Sequence, residues 1–187
     1  MKDFEEKTIK ETKIFDGKII SLQVDDVRLP DGNRSKREIV KHPGAVAIIA
    51  VTDKGKIILV KQYRKPLERS LIEIPAGRIE EGEDPKVTAI RELEEETGYT
   101  TDDLKFVTSF YTSPGFANEI IYLYISDNLQ QLKEPVQGDE DEFIELIELN
   151  LDEAIEYVQT GKIKDAKTNY AVLYLQMMKS QGNHHVP

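Results

Sequence analysis

The chain predicts an α+β fold, strands alternating with few helices, preceded by a small antiparallel β section. Three observations lead there. The apolar runs AVAIIAV and IILV flank the turn signal Asp53-Lys54-Gly55, which marks them as central, buried strands. Residues that start and stop helices frame only a few segments, all after Glu83. The first forty residues show strand patterning around Pro30-Asp31-Gly32-Asn33, a turn signal, and read as a small sheet.

In chain order, Ile19–Leu29 and Lys36–Lys41 are the strands on either side of that first turn. Ala45–Thr52 and Lys56–Tyr63 make a second hairpin, and Leu71–Ile74 is a short strand leading into Pro75-Ala76-Gly77. Asp84 is a natural N-cap, and Pro85 fits the first helical position, where its missing N–H costs nothing. Gly98 suits the residue just past the helix end, so a helix is expected over Pro85–Thr97. Strands follow at Phe106–Thr112, Glu119–Ser126 and Phe143–Leu149. Leu151–Thr160 is a helix, with Asn150 or Asp152 near its start and Gly161 at its end, and Asp165–Lys179 is the last one. The expected division is residues 1–42 as the N-terminal β section, 43–180 as the main domain and 181–187 as a disordered tail. His184-His185 there reads as a frayed end rather than a metal site.

Charge narrows the function. With 25 Lys and Arg against 35 Asp and Glu, the formal net charge is −10, which argues against general attraction to nucleic acid or an anionic membrane. No run of about 18 apolar residues is present, which argues against a membrane span. The N-terminus MKDFEEKTIK lacks the apolar stretch of a secretory signal. The chain has no cysteine, hence no disulfide framework and no thiolate chemistry. A soluble, cytoplasmic protein is the expectation. An anionic substrate would need local help from Arg37, Arg64, Arg78 or a metal.

The most informative stretch is Gly77–Tyr99, GRIEEGEDPKVTAIRELEEETGY. At about 100° per residue, Ala89, Ile90, Leu93 and Thr97 share one arc of the helix and face a core. Glu92, Glu95 and Glu96 fall on a second, exposed arc, which Arg91 borders. Glu92 and Glu96 form a like-charge i,i+4 pair, which costs an isolated helix a few tenths of a kcal/mol. Glu80, Glu81 and Glu83 of the preceding loop add to the charge. A solvated acidic face is the bland reading; a cation held there is the sharper one.

The order of the residues favours the sharper reading. The segment runs G-x5-E-x7-R-E-L-x-E-E-x-G-Y through Gly77, Glu83, Arg91, Glu92, Leu93, Glu95, Glu96, Gly98 and Tyr99. It resembles the box of the Nudix family in every charged and glycine position, and departs from it at Tyr99, where the family has an aliphatic packing residue. The resemblance is most specific over residues 44–142 and implies an α/β/α sandwich of a mixed sheet between helices. It also implies metal-dependent hydrolysis of a nucleoside diphosphate linked to a second moiety. Mg2+, or Mn2+ or a similar divalent ion, is the implied cofactor. By the same resemblance Glu92, Glu96 and the Ala76 carbonyl are metal ligands, and Glu95 is either a ligand or a support for one. Arg91 and Glu83 would hold the glutamates in place, and Glu83 would alternatively bind a second metal through water.

Two further constellations narrow the substrate. Ser113-Pro114-Gly115-Phe116-Ala117-Asn118-Glu119 follows a strand, with Pro114 16 positions after Gly98. A Ser-Pro-Gly turn is common by itself. At this distance from the box it resembles the ADP-ribose pyrophosphatase subgroup, in which Ser113, Pro114, Gly115 and Glu119 would meet the ribose and phosphates. The acidic stretch Gly138-Asp139-Glu140-Asp141-Glu142-Phe143 suits a flexible loop that supplies a general base once substrate binds. The subgroup implies Glu140 as the base and Glu142 as metal-associated, with the reverse assignment left open. It further implies a homodimer that exchanges its N-terminal section, bringing Arg37 and Glu38 to the partner's site, with Arg64 and Arg78 on the phosphates. The remaining alternatives are another linked nucleoside diphosphate, such as a nucleotide sugar or dinucleotide, a nucleotide-sensing module without turnover, and a cation-binding acidic protein.

Overall fold

A computed structural model of the chain describes residues 4–134, 136, 138 and 143–182. The chain divides into two compact units, Met1–Ala45 with Ser109–Ile121, and Val46–Thr108 with Tyr122–Pro187.

The first unit holds a three-stranded antiparallel sheet in the order β1 (Lys7–Asp16), β2 (Ser21–Arg28), β3 (Arg34–Lys41). β2 and β3 are the two strands expected from the turn at Pro30–Asn33, trimmed at β2 and lengthened at the start of β3. β1 is additional. All ten of its residues are exposed, so neither face imposes an apolar period that a sequence pattern would reveal. Two register shifts, at Thr8/Lys10 and Lys13/Phe15, break what pattern remains. The loop after Thr112 is stitched to β3: Val40 N donates to Phe116 O at 2.8 Å, and Asn118 N to Val40 O at 3.2 Å.

The second unit is built on a mixed seven-stranded sheet ordered β12 (Ile144–Leu149), β5 (Ile57–Arg64), β4 (Ala45–Val51), β10 (Ile120–Ser126), β9 (Lys105–Tyr111). β6 (Arg69–Glu73) pairs with β5, and β7 (Ala76–Arg78) with β4. The short pair β8 (Tyr99–Thr100) and β11 (Gln130–Gln131) was not expected from the sequence; two-residue strands leave no period to read.

β4 is buried on both faces, which is why its sequence is continuously apolar rather than alternating. One face carries Val46, Ile48 and Ala50, packed with Ile58, Leu104, Tyr124 and with Ala89 and Leu93 of α1 (Pro85–Thr97). α1 has the bounds expected of it. Asp84 accepts from Lys86 N, and Gly98 closes the helix in the left-handed region at φ 70°. Ala89, Leu93 and Thr97 are buried as the helical wheel requires, and Ile90 packs at the edge of the same cluster. α2 (Leu151–Gln159) packs on β12 and α3 (Ala166–Ser180) on β6, with Ala154, Ala171, Val172 and Leu175 buried. No helix among the described residues is long and apolar enough to cross a membrane.

Candidate active site

The turn from β7 into α1 gathers the acidic residues in the second unit. Arg91 organises them. Its Nε donates to Glu83 Oε1 at 3.2 Å and its Nη2 to Glu83 Oε2, also at 3.2 Å. Its Nη1 lies 2.8 Å from Glu92 Oε1 and 3.0 Å from Glu95 Oε2. One guanidinium thus serves three carboxylates, and Thr88 Oγ1 donates to Glu83 as well, at 2.8 Å. The bond from Arg91 holds the Glu83 carboxyl below the usual carboxylate range; in return the Glu83 bond raises the Arg91 pKa. Arg91 is therefore permanently charged, and the like-charge cost on the helix is offset by a charge-assisted fork.

Glu92 and Glu96 sit on the inner side of this arc. The Glu92 carboxylate lies against Gly77: a Cβ there would fall 1.8 Å from Glu92 Cδ. Gly77 is needed for space, since its backbone does not take the left-handed conformation. Glu96 Oε2 accepts from Ala76 N at 2.9 Å. The expectation of an exposed acidic arc is corrected here: Glu96 is only 8% exposed, because β7 folds over that side of α1. Glu92, Glu96 and the Ala76 backbone thus lie around one strand–helix junction.

The donors there are hard oxygens. Mg2+ is usually held through one or two carboxylates completed by waters and substrate phosphates, a requirement Glu92 and Glu96 beside Ala76 meet. Among the described residues no three acidic or histidine side chains converge into a full protein cage. Glu140 and Glu142 lie outside the described residues.

Arg64 and Arg78 also belong to this unit. Arg78 is exposed on β7, its carbonyl accepting from Arg91 Nη2 at 3.4 Å. Arg64, at the end of β5, is clamped by Glu73, Nε to Oε1 at 2.7 Å and Nη2 to Oε2 at 2.9 Å. These bonds raise its pKa, helped by the charges of Glu73, Glu96 and Asp165. Nη1 makes no hydrogen bond among the described residues.

Glu73 itself was not singled out in the sequence. Burial would push its carboxyl up, but the bonds and charges of Arg64 and Lys167 outweigh this and bring it from 4.5 down to about 2. Lys167 Nζ donates to Glu73 Oε2 and lies 3.2 Å from Asp165. Nothing local distinguishes Glu73 or Lys167 in the sequence; they are 94 positions apart and meet only through packing.

The remaining candidates lie in the first unit. Arg37 donates through Nε and Nη2 to Glu6, at 2.7 and 2.5 Å. Arg37, Glu38, Pro114 and Gly115 line a cavity of about 370 Å³ together with Glu6 and Phe116. Ser113 and Glu119 line a second, of about 250 Å³, with Val40 and His42. Ser113 O accepts from Phe116 N at 3.1 Å and Ala117 N at 2.9 Å, which makes the Ser-Pro-Gly segment a closed turn. Glu119 accepts from Thr112 Oγ1, and its Oε1 lies 3.7 Å from His42 Nδ1. His42, which lines this second cavity, and Asn118, which lines the first and whose Oδ1 accepts from His42 N at 2.8 Å, were not foreseen as site residues.

Comparison with known proteins adds to this geometry. The model of the NUDIX domain matches residues 41–172, and that of the nucleoside diphosphate sugar hydrolase N-terminal domain matches residues 6–40. The chain is 58% identical to the ADP-ribose pyrophosphatase of Bacillus subtilis over 96% of its own length and 97% of that protein's. It is 59% identical to the methanol dehydrogenase activator of Bacillus methanolicus over 95% of this chain and 96% of that one. The crystal structure of an ADP compounds hydrolase has the same fold, with a TM-score of 0.82 over 95% of this chain and 96% of that one at 22% identity.

Proposed function

The chain belongs to the Nudix family, and from that premise we propose that it hydrolyses the pyrophosphate of ADP-ribose to AMP and ribose 5-phosphate. The observation that carries the reading is the likeness, along nearly the whole of both chains, to a relative named for that activity. Every charged position of the box is filled, which favours turnover over a sensing role.

Nudix hydrolases need a divalent metal; here Mg2+ is the proposed ion, with Mn2+ as a substitute. When bound, such an ion offsets phosphate charge and acidifies a water. Glu92, Glu96 and the Ala76 carbonyl would hold it, with Glu95 as a ligand or a support and Glu142 joining from the acidic loop. The chain's own residues do the rest. Arg91 fixes Glu83, Glu92 and Glu95 in one array. Glu140 takes the proton of the attacking water, whose oxygen bonds to one phosphorus. The bridging P–O bond then breaks, and its electron pair leaves with the second phosphate. Arg64, through Nη1, and Arg78 steady the phosphate charge as it builds. Ser113, Pro114, Gly115 and Glu119 contact the ribose and phosphates.

The protein acts as a homodimer in this reading, with Arg37 and Glu38 serving the partner's site. Exposed Phe4, Ile14 and Phe15, each more than half exposed in the first unit, support an interface there.

The test is hydrolysis of ADP-ribose, a nucleotide sugar, a dinucleotide and a nucleoside triphosphate, with Mg2+ and with chelator. AMP released mainly from ADP-ribose, and only with metal, is the expected result. Preference for another member would keep the family chemistry and discard the substrate.

The second relative favours a second reading, in which the chain acts on an alcohol dehydrogenase. Its test is the rate of methanol dehydrogenase with and without the protein. Stimulation that survives Glu96→Gln would separate this role from hydrolysis.

A further inference from the structure

Four consecutive residues lead into the box, and between them they are pinned by β4, β5, α1 and α3 of the second unit. The Glu73 carboxylate is held by Arg64 of β5 and Lys167 of α3. Ile74 N donates to Thr168 Oγ1 of α3 at 2.9 Å. Pro75 O accepts from Ile48 N of β4 at 2.9 Å, and Ala76 N donates to Glu96 of α1 at 2.9 Å. Glu73, Ile74 and Pro75 are all buried.

The contribution of α3 is the least expected, because it comes from the far end of the chain. Asp165 is its N-cap and accepts from Thr168 N at 2.9 Å. Thr168 Oγ1 donates to Asp165 Oδ2 at 2.6 Å, so its proton is committed and its lone pair is aimed at Ile74 N. Lys167, one residue earlier, is 8% exposed and bridges Asp165 and Glu73. A hydroxyl and a buried ammonium, both in contact with the capping Asp165, thus hold Glu73 at the end of β6 and Ile74 just past it. Ordinary capping needs only the bond to Thr168 N; the contacts to Glu73 and Ile74 serve the segment that leads into the box.

We infer that Asp165, Lys167 and Thr168 are positioning residues for the metal site, fixing Glu73–Ala76 so that the Ala76 carbonyl and Glu96 are presented together. This rests on the metal-binding role proposed for Ala76 and Glu96. Groups that orient ligands typically change metal affinity by about 10–100-fold when removed. A displacement of about 1 Å can cost about 100-fold in rate.

The experiment compares Thr168→Val, Thr168→Ser and Lys167→Gln with the full wild-type chain. Mn2+ binding is measured by calorimetry without substrate, kcat and KM with ADP-ribose, and folding by circular dichroism. Folded Thr168→Val is expected to bind Mn2+ about 10-fold more weakly and to lose about 10-fold in kcat, with KM changed little. Thr168→Ser, which keeps the hydroxyl, restores both. Lys167→Gln behaves like Thr168→Val and stands in for it if the valine variant does not fold. If neither folds, amide exchange in the wild type decides: slowing at Ile74 and Ala76 on Mn2+ addition supports the inference, and no change overturns it. Wild-type Mn2+ affinity in a folded Thr168→Val protein overturns it, as does a serine variant as impaired as the valine. A wild-type protein that binds Mn2+ but leaves ADP-ribose intact would sink the substrate reading alone, with the positioning role then judged on Mn2+ affinity.

Discussion

At Gly77 a single hydrogen atom separates a working junction from a blocked one. Gly77→Ala would place a methyl group 1.8 Å from Glu92 Cδ, so the carboxylate must leave its seat. The expected outcome is a kcat at least about 10-fold lower with thermal stability reduced only modestly, read by steady-state kinetics and a melting curve. Glu96→Gln is the complementary change. The amide oxygen still accepts from Ala76 N, so the fold persists, while the charge that a divalent ion needs is gone. Turnover is expected to fall by about 100-fold or more, and full activity in the variant would remove Glu96 from the metal assignment. For the base, Glu140→Gln should lower kcat more than it changes KM. An unaffected Glu140→Gln enzyme beside a crippled Glu142→Gln one would move the base by two positions. The glutamates, Arg91 and Gly77 were legible because one local helix and its preceding turn fix their spacing. The burial of Glu96 was not, because β7 covers it from outside that helix.

Among the elements, β6 and α3 meet at a buried ion cluster whose acid sensitivity is testable. The Glu73 carboxyl falls from 4.5 to about 2 in the folded protein, so the unfolded chain binds its proton first as pH drops. Its contribution is therefore present above pH 4.5 and lost as pH falls towards 2. The shift corresponds to on the order of 3 kcal/mol. Urea unfolding between pH 4.5 and 2 is expected to be steeper in wild type than in Glu73→Gln. At neutral pH that variant should be less stable by about 3–5 kcal/mol, since Arg64 and Lys167 lose their shared partner. Equal slopes would mean that the cluster does not set the acid limb. The helices and long buried strands were readable from period and caps. β1, β8 and β11 were not, since a strand exposed on both faces or two residues long carries no period.

For the molecule as a whole, the first unit joins residues far apart in sequence: the N-terminal sheet and the Ser113–Glu119 turn are bonded through Val40. Removing residues 1–40 takes away β1, β2 and most of β3, the strand on which that turn rests. The truncated protein is expected to sediment as a monomer and to bind ADP-ribose poorly. A monomeric core with wild-type KM would refute the exchanged-subunit proposal. Sequence alone determined the fold class, the bounds of α1 and the clustering of acidic residues about its turn. These depend on local propensity and on spacing within one element. Tertiary structure alone decided the burial of Glu96, the Arg64–Glu73–Lys167 cluster and the seating of the Ser-Pro-Gly turn on β3. Each of those needs two segments distant in the chain to meet, and no periodicity within either segment encodes its partner.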